Sequence, residues 1–300
     1  MQLRRDLSVT VTYLFVKGSV LQRVRDVNLG ISTPTTIAMA NSTDRLIVAR
    51  FPDRRPLADF DRILAFQSDA ESVYHGITVQ LNKRMSNSMQ IFAAYTLGKV
   101  VDDAPNVYAG GAGGDATLLS DATNPRADRG PGVNDQRHRL SLSGVWDLAY
   151  ADRFSGLSHA VLRDWQMSFI LTAQSGQPYS SMVSFDLNND GNSANDRTPG
   201  STRNAFYTPA TMSLDPRLTR TVRVSGRASL QLAWEAFNVF NRTNIIAVRT
   251  TQNAYSMNSA TCGIAVVPCL VPQDRGLTAF GTPLTSAGPR VMQLSARVLF

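Results

Sequence analysis

Apolar and polar residues alternate with a period of two along eight separate stretches of the chain. In residues 7–16, Val9 and Val11 share one side of the stretch while Thr10 and Thr12 share the other. A transmembrane strand needs about 9–11 residues, whereas strands of soluble proteins average about five or six. The alternation therefore predicts an all-β fold, an antiparallel transmembrane β-barrel of about eight long strands. These strands are predicted at 7–16, 73–85, 89–99, 137–148, 164–179, 211–224, 227–239 and 290–300.

One side of these strands is apolar enough to face lipid. In residues 290–300, Met292 and Leu294 lie opposite Gln293 and Ser295. An arginine or lysine on the lipid side costs about 2–4 kcal/mol at the bilayer midplane and about 0–1 kcal/mol near its surfaces. Reversing the two sides would therefore be unfavourable on several strands at once.

Three residues do not fit this pattern. Lys83 and Arg220 fall on the apolar side, but each lies close to a predicted short turn, where a long side chain reaches the membrane surface. Pro216 falls inside a predicted strand and removes a ladder donor, so we expect a β-bulge there.

The connections between strands alternate between short and long. Short or moderate connections are predicted at 86–88, 149–163 and 225–226. Long loops, expected to be extracellular, are predicted near 17–72, 100–136, 180–210 and 240–289. Tight turns on one side and long loops on the other are typical of outer-membrane barrels. We therefore interpret residues 1–300 as one barrel segment. Glycine-rich runs such as YAGGAGGDA predict irregular loops, and FDRILAFQSD at 60–69 predicts a strand extension above the membrane.

Composition narrows the functional classes. Only 18% of residues are charged, and no run of about 18 apolar residues predicts a membrane helix. The net charge is +7, but the arginines are scattered rather than clustered, so we expect no nucleic-acid partner. The motifs GQPYSSM and GGAGGD lack the strand, turn and helix of a nucleophile or phosphate site, so we expect no enzyme. The opening MQLRRDLSVT lacks the apolar core of a secretory signal, so we expect a missing signal or a fragment.

A soluble β-sandwich with carbohydrate-binding loops remains an alternative. Its core would bury the same apolar side chains, including the aromatic ones. Strand length and loop asymmetry favour the barrel, and the sandwich predicts high yield in buffer without detergent.

One loop carries the spacing of metal ligands. In residues 186–197, oxygen-bearing side chains occupy positions 1, 3 and 5 and glycine position 6, as in the first half of an EF-hand-type calcium loop. The twelfth position is Arg197 instead of the bidentate glutamate. The alternative is a surface turn rich in asparagine and aspartate. The predicted Ca²⁺ ligands are Asp186, Asn188, Asp190, Asn192 and Asp196.

Cys262 and Cys269 are the two cysteines, and their spacing predicts a small loop-closing disulfide in an oxidising compartment. A charged cluster at the end of the 100–136 loop either pairs internally or contacts lipopolysaccharide phosphates. Its members are Arg126, Asp128, Arg129, Asp135, Arg137 and Arg139. The histidines His75, His138 and His159 are interpreted as ordinary rim or connection residues.

Six segments together resemble the C-terminal barrel region of TonB-dependent outer-membrane receptors, in particular the Oar-like group. Each is weak alone, but their order is specific and they span most of residues 60–300. The segments are SVYHGITVQLNKRMSNSMQIFAAYTLGKVVDDAP, RADRGPGVNDQRHRLSLSGVWDL, DWQMSFILTAQSGQPY, DLNNDGNSANDR, SLDPRLTRTVRVSGRASLQLAWEAFNVFNRTN and GPRVMQLSARVLF.

The resemblance implies a bacterial outer-membrane location and uptake of a bulky extracellular substrate through a barrel of about 22 strands. Eight strands and no plug domain imply the C-terminal part of a larger barrel, which would reach the TonB complex only through a plug absent from this chain. Phe300 resembles the C-terminal signal read by the barrel-assembly machinery. No cofactor is implied beyond the loop Ca²⁺. The alternative function is a non-transporting adhesin or structural barrel of eight strands, filled by Gln80, Asn82, Gln231, Glu235 and Arg297.

Overall fold

The fold was obtained as a computed structural model. It describes residues 2–4, 6–103, 118–148, 151, 153–224, 226, 228–263 and 268–300. The glycine-rich part of the predicted 100–136 loop and the first residue of the predicted 225–226 turn lie outside the described residues.

Strands dominate the described residues, and the helices are short. The helices are α1 (Gly156–Leu162), α2 (Ser259–Cys262) and two 3-10 turns, Pro125–Asp128 and Gly276–Thr278. The strands are β1 (Gln2–Arg4), β2 (Leu7–Asp26), β3 (Thr33–Met39), β4 (Arg45–Arg50), β5 (Leu64–Ser86), β6 (Met89–Asp102), β7 (Gly130–Pro131), β8 (His138–Asp147), β9 (Trp165–Gln174), β10 (Pro178–Tyr179), β11 (Met182–Val183), β12 (Phe206–Tyr207), β13 (Thr211–Arg223), β14 (Ser229–Phe237), β15 (Ile245–Val248), β16 (Thr251–Ser256), β17 (Cys269–Pro272), β18 (Pro283–Ser286) and β19 (Val291–Leu299). Among the described residues, no helix has the length and apolar character to cross a membrane.

A single antiparallel sheet contains all the long strands. Its order is β1-β2-β5-β6-β8-β9-β13-β14-β19, and β7 pairs with β6 at the long-loop end. Eight of these strands overlap the eight predicted from the alternation, so the predicted fold class is confirmed. Within the described residues, β19 and the long outer edge of β2 do not pair with each other, so the sheet is open.

The strand register places the predicted apolar sides on one face of this sheet. One cross-strand row on that face is Val9, Leu81, Ala93, Leu142, Leu171 and Leu214. The adjacent row on the opposite face is Thr10, Gln80, Ala94, Ser141, Thr172 and Ser213. Long antiparallel strands with one apolar and one polar face are the arrangement that the wall of a membrane barrel requires.

Aromatic residues mark both ends of the apolar face. Trp146 and Trp234 share one row toward the short turns, and Trp165 lies in the next. Tyr13 and Tyr95 lie toward the long loops, where their hydroxyl groups contact the Nδ1 atoms of His75 and His138 at 2.8 and 2.6 Å. Rings with a polar atom suit the boundary between hydrocarbon and water.

The two basic residues on the apolar side are held at the short-turn end. The Lys83 ammonium donates hydrogen bonds to the main-chain oxygens of Ser86 and Met89, both at 2.8 Å. Arg220 donates to the main-chain oxygen of Ala160 at 2.5 Å and lies over the Trp165 ring. Both charges therefore sit near the membrane surface, where their cost is small.

The expected bulge at Pro216 is wrong. β13 keeps a continuous register with β9 through Pro216↔Phe169, and its first registered pair with β14 is Arg217↔Glu235. Because proline lies where pairing with β14 begins, its missing N–H does not interrupt that ladder. The register instead shifts in β2 between Gly18 and Leu21. Beyond this point the strand continues toward the long loops.

The short turn between β5 and β6 consists of Asn87 and Ser88, both with positive φ. Two consecutive positive φ angles are typical of the tight hairpin turns that match strand twist. On the long-loop side, β2 continues to Asp26 and β5 begins at Leu64. The two strands pair over this whole length and form a long hairpin. The strand extension predicted within 60–69 thus belongs to β5.

The described parts of the long connections contain strands, although their glycine and asparagine content predicted irregular structure; the run YAGGAGGDA itself lies outside the described residues. The long connections fold into what we call the loop assembly, residues 27–63, 118–137, 175–210 and 238–290, described except for 264–267. A five-stranded sheet of order β11-β16-β17-β3-β4 organises it. Its core contains Ile37, Val183, Leu187 and Leu270. These strands come from separate loops, and such long-range pairing leaves no local sequence pattern.

Candidate functional site in the loop assembly

The disulfide joins α2 to the sheet of the loop assembly. Cys262 and Cys269 are bonded, with their Cα atoms 5.8 Å apart, and both are fully buried. Ala38 of β3 packs against the pair. The crosslink therefore lies in a buried cluster and closes the connection between α2 and β17.

Replacing both cysteines with alanine is expected to loosen the loop assembly and not the main sheet. Loss of a short crosslink costs about 2–3 kcal/mol, or roughly 30- to 150-fold in the local opening equilibrium. Amide hydrogen exchange in β17 and β3 measures this effect, with amides of β8 as the internal control. Unchanged exchange in β17, or equal acceleration in β8, would contradict it.

The predicted calcium-binding residues 186–197 form a turn closed by aspartate and asparagine side chains. The Asp186 carboxylate accepts hydrogen bonds from the N–H groups of Asp190 and Gly191 at 3.1 and 2.9 Å. Asp190 accepts one from the N–H of Asn192 at 2.8 Å. Gly191 has φ +85°, a backbone conformation that glycine adopts without strain. The turn thus wraps its backbone around its own side chains.

A hydrogen bond to Asp196 connects the end of the turn to its first half. The Oδ1 atom of Asp196 accepts it from the N–H of Asn188 at 3.2 Å. Asn195, which the sequence did not mark as a ligand, donates from Nδ2 to the Asp190 carboxylate at 2.8 Å. Four of the five predicted ligands are buried, and Asp186 is half-buried. The structure therefore places all five in one turn.

Burial and mutual repulsion disfavour ionised carboxylates in this turn. Burial, together with the neighbouring carboxylate of Asp190, raises the pKa of Asp196 to about 7. Burial likewise raises the pKa of Asp190, against hydrogen bonds from Asn195 and Asn188. In the described residues, no three His, Cys, Asp or Glu side chains by themselves form a metal site. A bound cation would need amide or main-chain oxygens as well.

The turn also connects two other parts of the loop assembly. The main-chain oxygen of Asn188 accepts from Phe51 at 2.7 Å, and Asn188 Nδ2 donates to Ser120 at 2.9 Å. Asn195 Nδ2 donates to the main-chain oxygen of Leu119 at 2.7 Å. Arg55 donates to the main-chain oxygen of Asp190 at 2.7 Å. Its conformation is therefore coupled to residues 51–55 and 118–120.

The predicted charged cluster pairs only in part within itself. Asp135 is fully buried and accepts from Arg137 at 2.8 Å and from the Tyr207 hydroxyl at 2.7 Å. Asp128 pairs instead with Arg197, outside the cluster. The sequence could not indicate this partner, because it comes from a different loop.

An open cleft of about 660 Å³ lies beside the long-loop end of the hairpin formed by β2 and β5. Its walls include Arg25, Arg126 and Arg129 as well as Asp69. Arg23, also in the wall, is buried and pairs with Asp69 at 2.6 Å. The sequence did not indicate this cleft, since its residues come from separate parts of the chain, among them β2, β5 and the 118–137 segment.

One family model agrees with this architecture. A family model described as "Outer membrane beta barrel domain" matches residues 1–202 of the chain. No curated protein matches the chain.

Solved structures similar to the chain include the following three proteins. FpvA of P. aeruginosa, bound to a heterologous pyoverdine with Fe, has 11% identity and a TM-score of 0.44 over 98% of this chain and 25% of its own. The outer membrane transporter YddB from Escherichia coli has 9% identity and a TM-score of 0.49 over 99% of this chain and 31% of its own. The ferric-catecholate import receptor Fiu from K12 E. coli has 10% identity and a TM-score of 0.38 over 99% of this chain and 33% of its own. The chain thus spans a quarter to a third of the length of these proteins.

The family match covers more than half of the chain, and the described sheet has the faces of a membrane wall. The chain belongs to the family of outer membrane beta-barrel domains and is located in the bacterial outer membrane.

Proposed function

We propose that this chain is the C-terminal part of the barrel of an Oar-like, TonB-dependent outer-membrane receptor that takes up a bulky extracellular substrate. In this role it binds and transports without catalysis. Its partners would be lipopolysaccharide, the barrel-assembly machinery, the extracellular substrate and, through a plug domain supplied outside this segment, the TonB complex.

The open sheet is the observation that carries this proposal. Eight long strands form a continuous wall whose ends, among the described residues, stay unpaired. Unpaired backbone groups in hydrocarbon are unfavourable, so such a wall needs further strands to close. Eight strands are about a third of a 22-stranded barrel, the size of outer-membrane transporters with a plugged lumen.

The polar face supports a lumen rather than a second layer of protein core. Glu235 pairs with Arg217 at 2.6 Å and also accepts from the Gln293 amide. Charged and amide groups in cross-strand contact suit a surface against water or a polar plug. The cleft beside Arg25, on the long-loop side, provides a recess where the loops could contact a substrate.

The alternative adhesin or structural barrel requires β2 to pair with β19. The two proposals therefore predict different behaviour for the chain expressed alone in an outer membrane. A self-contained barrel gives a compact, detergent-resistant form that migrates differently before and after heating. A barrel segment gives no such form until the remaining strands are supplied, so a compact form of the chain alone would overturn the proposal.

Transport is tested in cells that carry the complete receptor. We expect at least one medium component to be depleted only when the receptor is present and the membrane is energised, as measured by mass spectrometry. Matched cells lack the receptor or receive an uncoupler. Assembled receptor with no energy-dependent depletion, but with binding to other cells or surfaces, would support the adhesin instead.

A further inference from the structure

We propose that the turn formed by residues 186–196 is a calcium-binding site that fixes the loop assembly. The ligands would come from Asp186, Asn188, Asp190, Asn192 and Asp196, together with Asn195. The proposal concerns the loop assembly alone and stands whether or not the barrel transports.

A buried oxygen without a partner is the observation that points to a cation. Asp196 is 4% exposed, and its Oδ2 atom is buried with no hydrogen-bond donor. Asn195 is 6% exposed, and its Oδ1 atom is in the same state. Buried acceptors without donors are costly, and both belong to the turn that carries three carboxylates.

The arginines next to the turn do not neutralise it. Arg197 is directed away, donating to Asp128, to the Ser120 hydroxyl at 2.8 Å and to the main-chain oxygen of Ala127 at 3.0 Å. Arg55 reaches the main-chain oxygen of Asp190, while its charge is paired with Asp26 and Asp61. Among the described residues, no salt bridge involves Asp186, Asp190 or Asp196. Three carboxylates thus lie together without a cationic partner.

The donor set suits calcium better than other divalent ions. Carboxylate, amide and main-chain oxygens are ligands for hard cations, and Ca²⁺ accepts six to eight of them in flexible geometry. Mg²⁺ requires a compact octahedron and loses its water reluctantly. Because the carboxylates now accept backbone N–H groups, binding requires small side-chain rotations toward a common centre.

Calcium would stabilise more than the turn itself. Residues 188–195 are hydrogen-bonded to segments 51–55 and 118–120, so an ion in the turn joins three loops. We expect calcium to slow tryptic cleavage after Arg54, which lies exposed in the first of these segments.

The test is calcium titration of the barrel completed by its remaining strands, in detergent micelles, after chelator treatment and with strand content verified by circular dichroism. We expect binding heat with a dissociation constant of about 10⁻⁴–10⁻³ M, the range of extracellular calcium modules. Asp190→Asn and Asp196→Asn should each weaken binding at least tenfold and abolish the protection from trypsin. Asp59→Asn removes an equal charge from an exposed loop position and should leave binding unchanged.

Asp190→Asn and Asp196→Asn each remove a repulsive charge from the turn and keep the side-chain volume, so these two variants should fold without calcium. Absence of heat and of trypsin protection in the wild-type chain at about 10 mM calcium, well above the expected range, would overturn the proposal. So would equal binding by wild type, Asp190→Asn and Asp196→Asn, because the ion would then lie elsewhere. If a variant shows reduced strand content, the wild-type protection assay with calcium against magnesium decides alone, and equal protection by both ions would also overturn it.

Discussion

Leu171→Arg is expected to destabilise the membrane-inserted sheet by about 2–4 kcal/mol, the cost of a basic residue on the lipid face at the midplane. Leu171 pairs with Leu142 and Leu214 on the apolar face. Its row lies between the tryptophan row of Trp146 and the tyrosine row of Tyr95. The arginine could not reach either membrane surface as readily as Arg220 does. The measurement is denaturant unfolding in lipid vesicles of the barrel completed by its remaining strands.

Thr172→Arg is the matched control. Thr172 is the next residue in β9 and lies on the polar face, between Ser141 and Ser213. An arginine there faces the lumen, so we expect a much smaller loss of stability. If Thr172→Arg were the more harmful change, the two faces would be reversed. If both were equally harmful, both faces of the sheet would be packed against protein, and neither would face lipid or a lumen.

Phe300→Ala is expected to reduce the amount of chain assembled in the outer membrane about tenfold or more, the scale for removing an aromatic anchor from a recognition surface. Phe300 is 99% exposed, and it follows β19, whose outer edge has no paired strand among the described residues. An open strand edge ending in an exposed aromatic ring suits capture by addition of a partner strand. Quantitative blotting of outer-membrane fractions measures the effect.

Met292→Ala serves as its control. Met292 lies on the same strand and face but at the long-loop end, paired with Ala236. Because assembly would read the C-terminal end of the strand, this change should leave the assembled amount nearly unaltered. Equal loss in both variants would indicate destabilised β19 packing and remove Phe300 as a specific signal.

The sequence predicted the membrane wall because its information is local. Alternation with period two depends only on which side of a strand meets lipid, and each strand carries that pattern independently. For the same reason, Lys83 and Arg220 could be placed near the short turns before their partners were known. The bulge expected at Pro216 was wrong because the effect of the proline depends on where the pairing of β13 with β14 begins.

The site was predicted in part. The oxygen spacing in residues 186–196 pointed to the turn, because five of its side chains lie within eleven residues. Asn195 and the turning away of Arg197 toward Asp128 were missed. Arg197 and Asp128 are 69 residues apart in sequence, so no local pattern reports their contact. Asn195 lies in the same turn as Asp190, but at a position that the EF-hand spacing does not mark.

What the sequence determined alone is therefore the alternating faces, the eight long strands and the candidate ligands of one turn, since each follows from neighbours along the chain. Within the described residues, the tertiary structure decided that the loops form a second sheet, that the main sheet stays open and that no basic side chain pairs with the carboxylates near Asp196. These features depend on which distant segments meet, and backbone pairing between distant segments is set by the packing of the whole chain rather than by any single stretch of it.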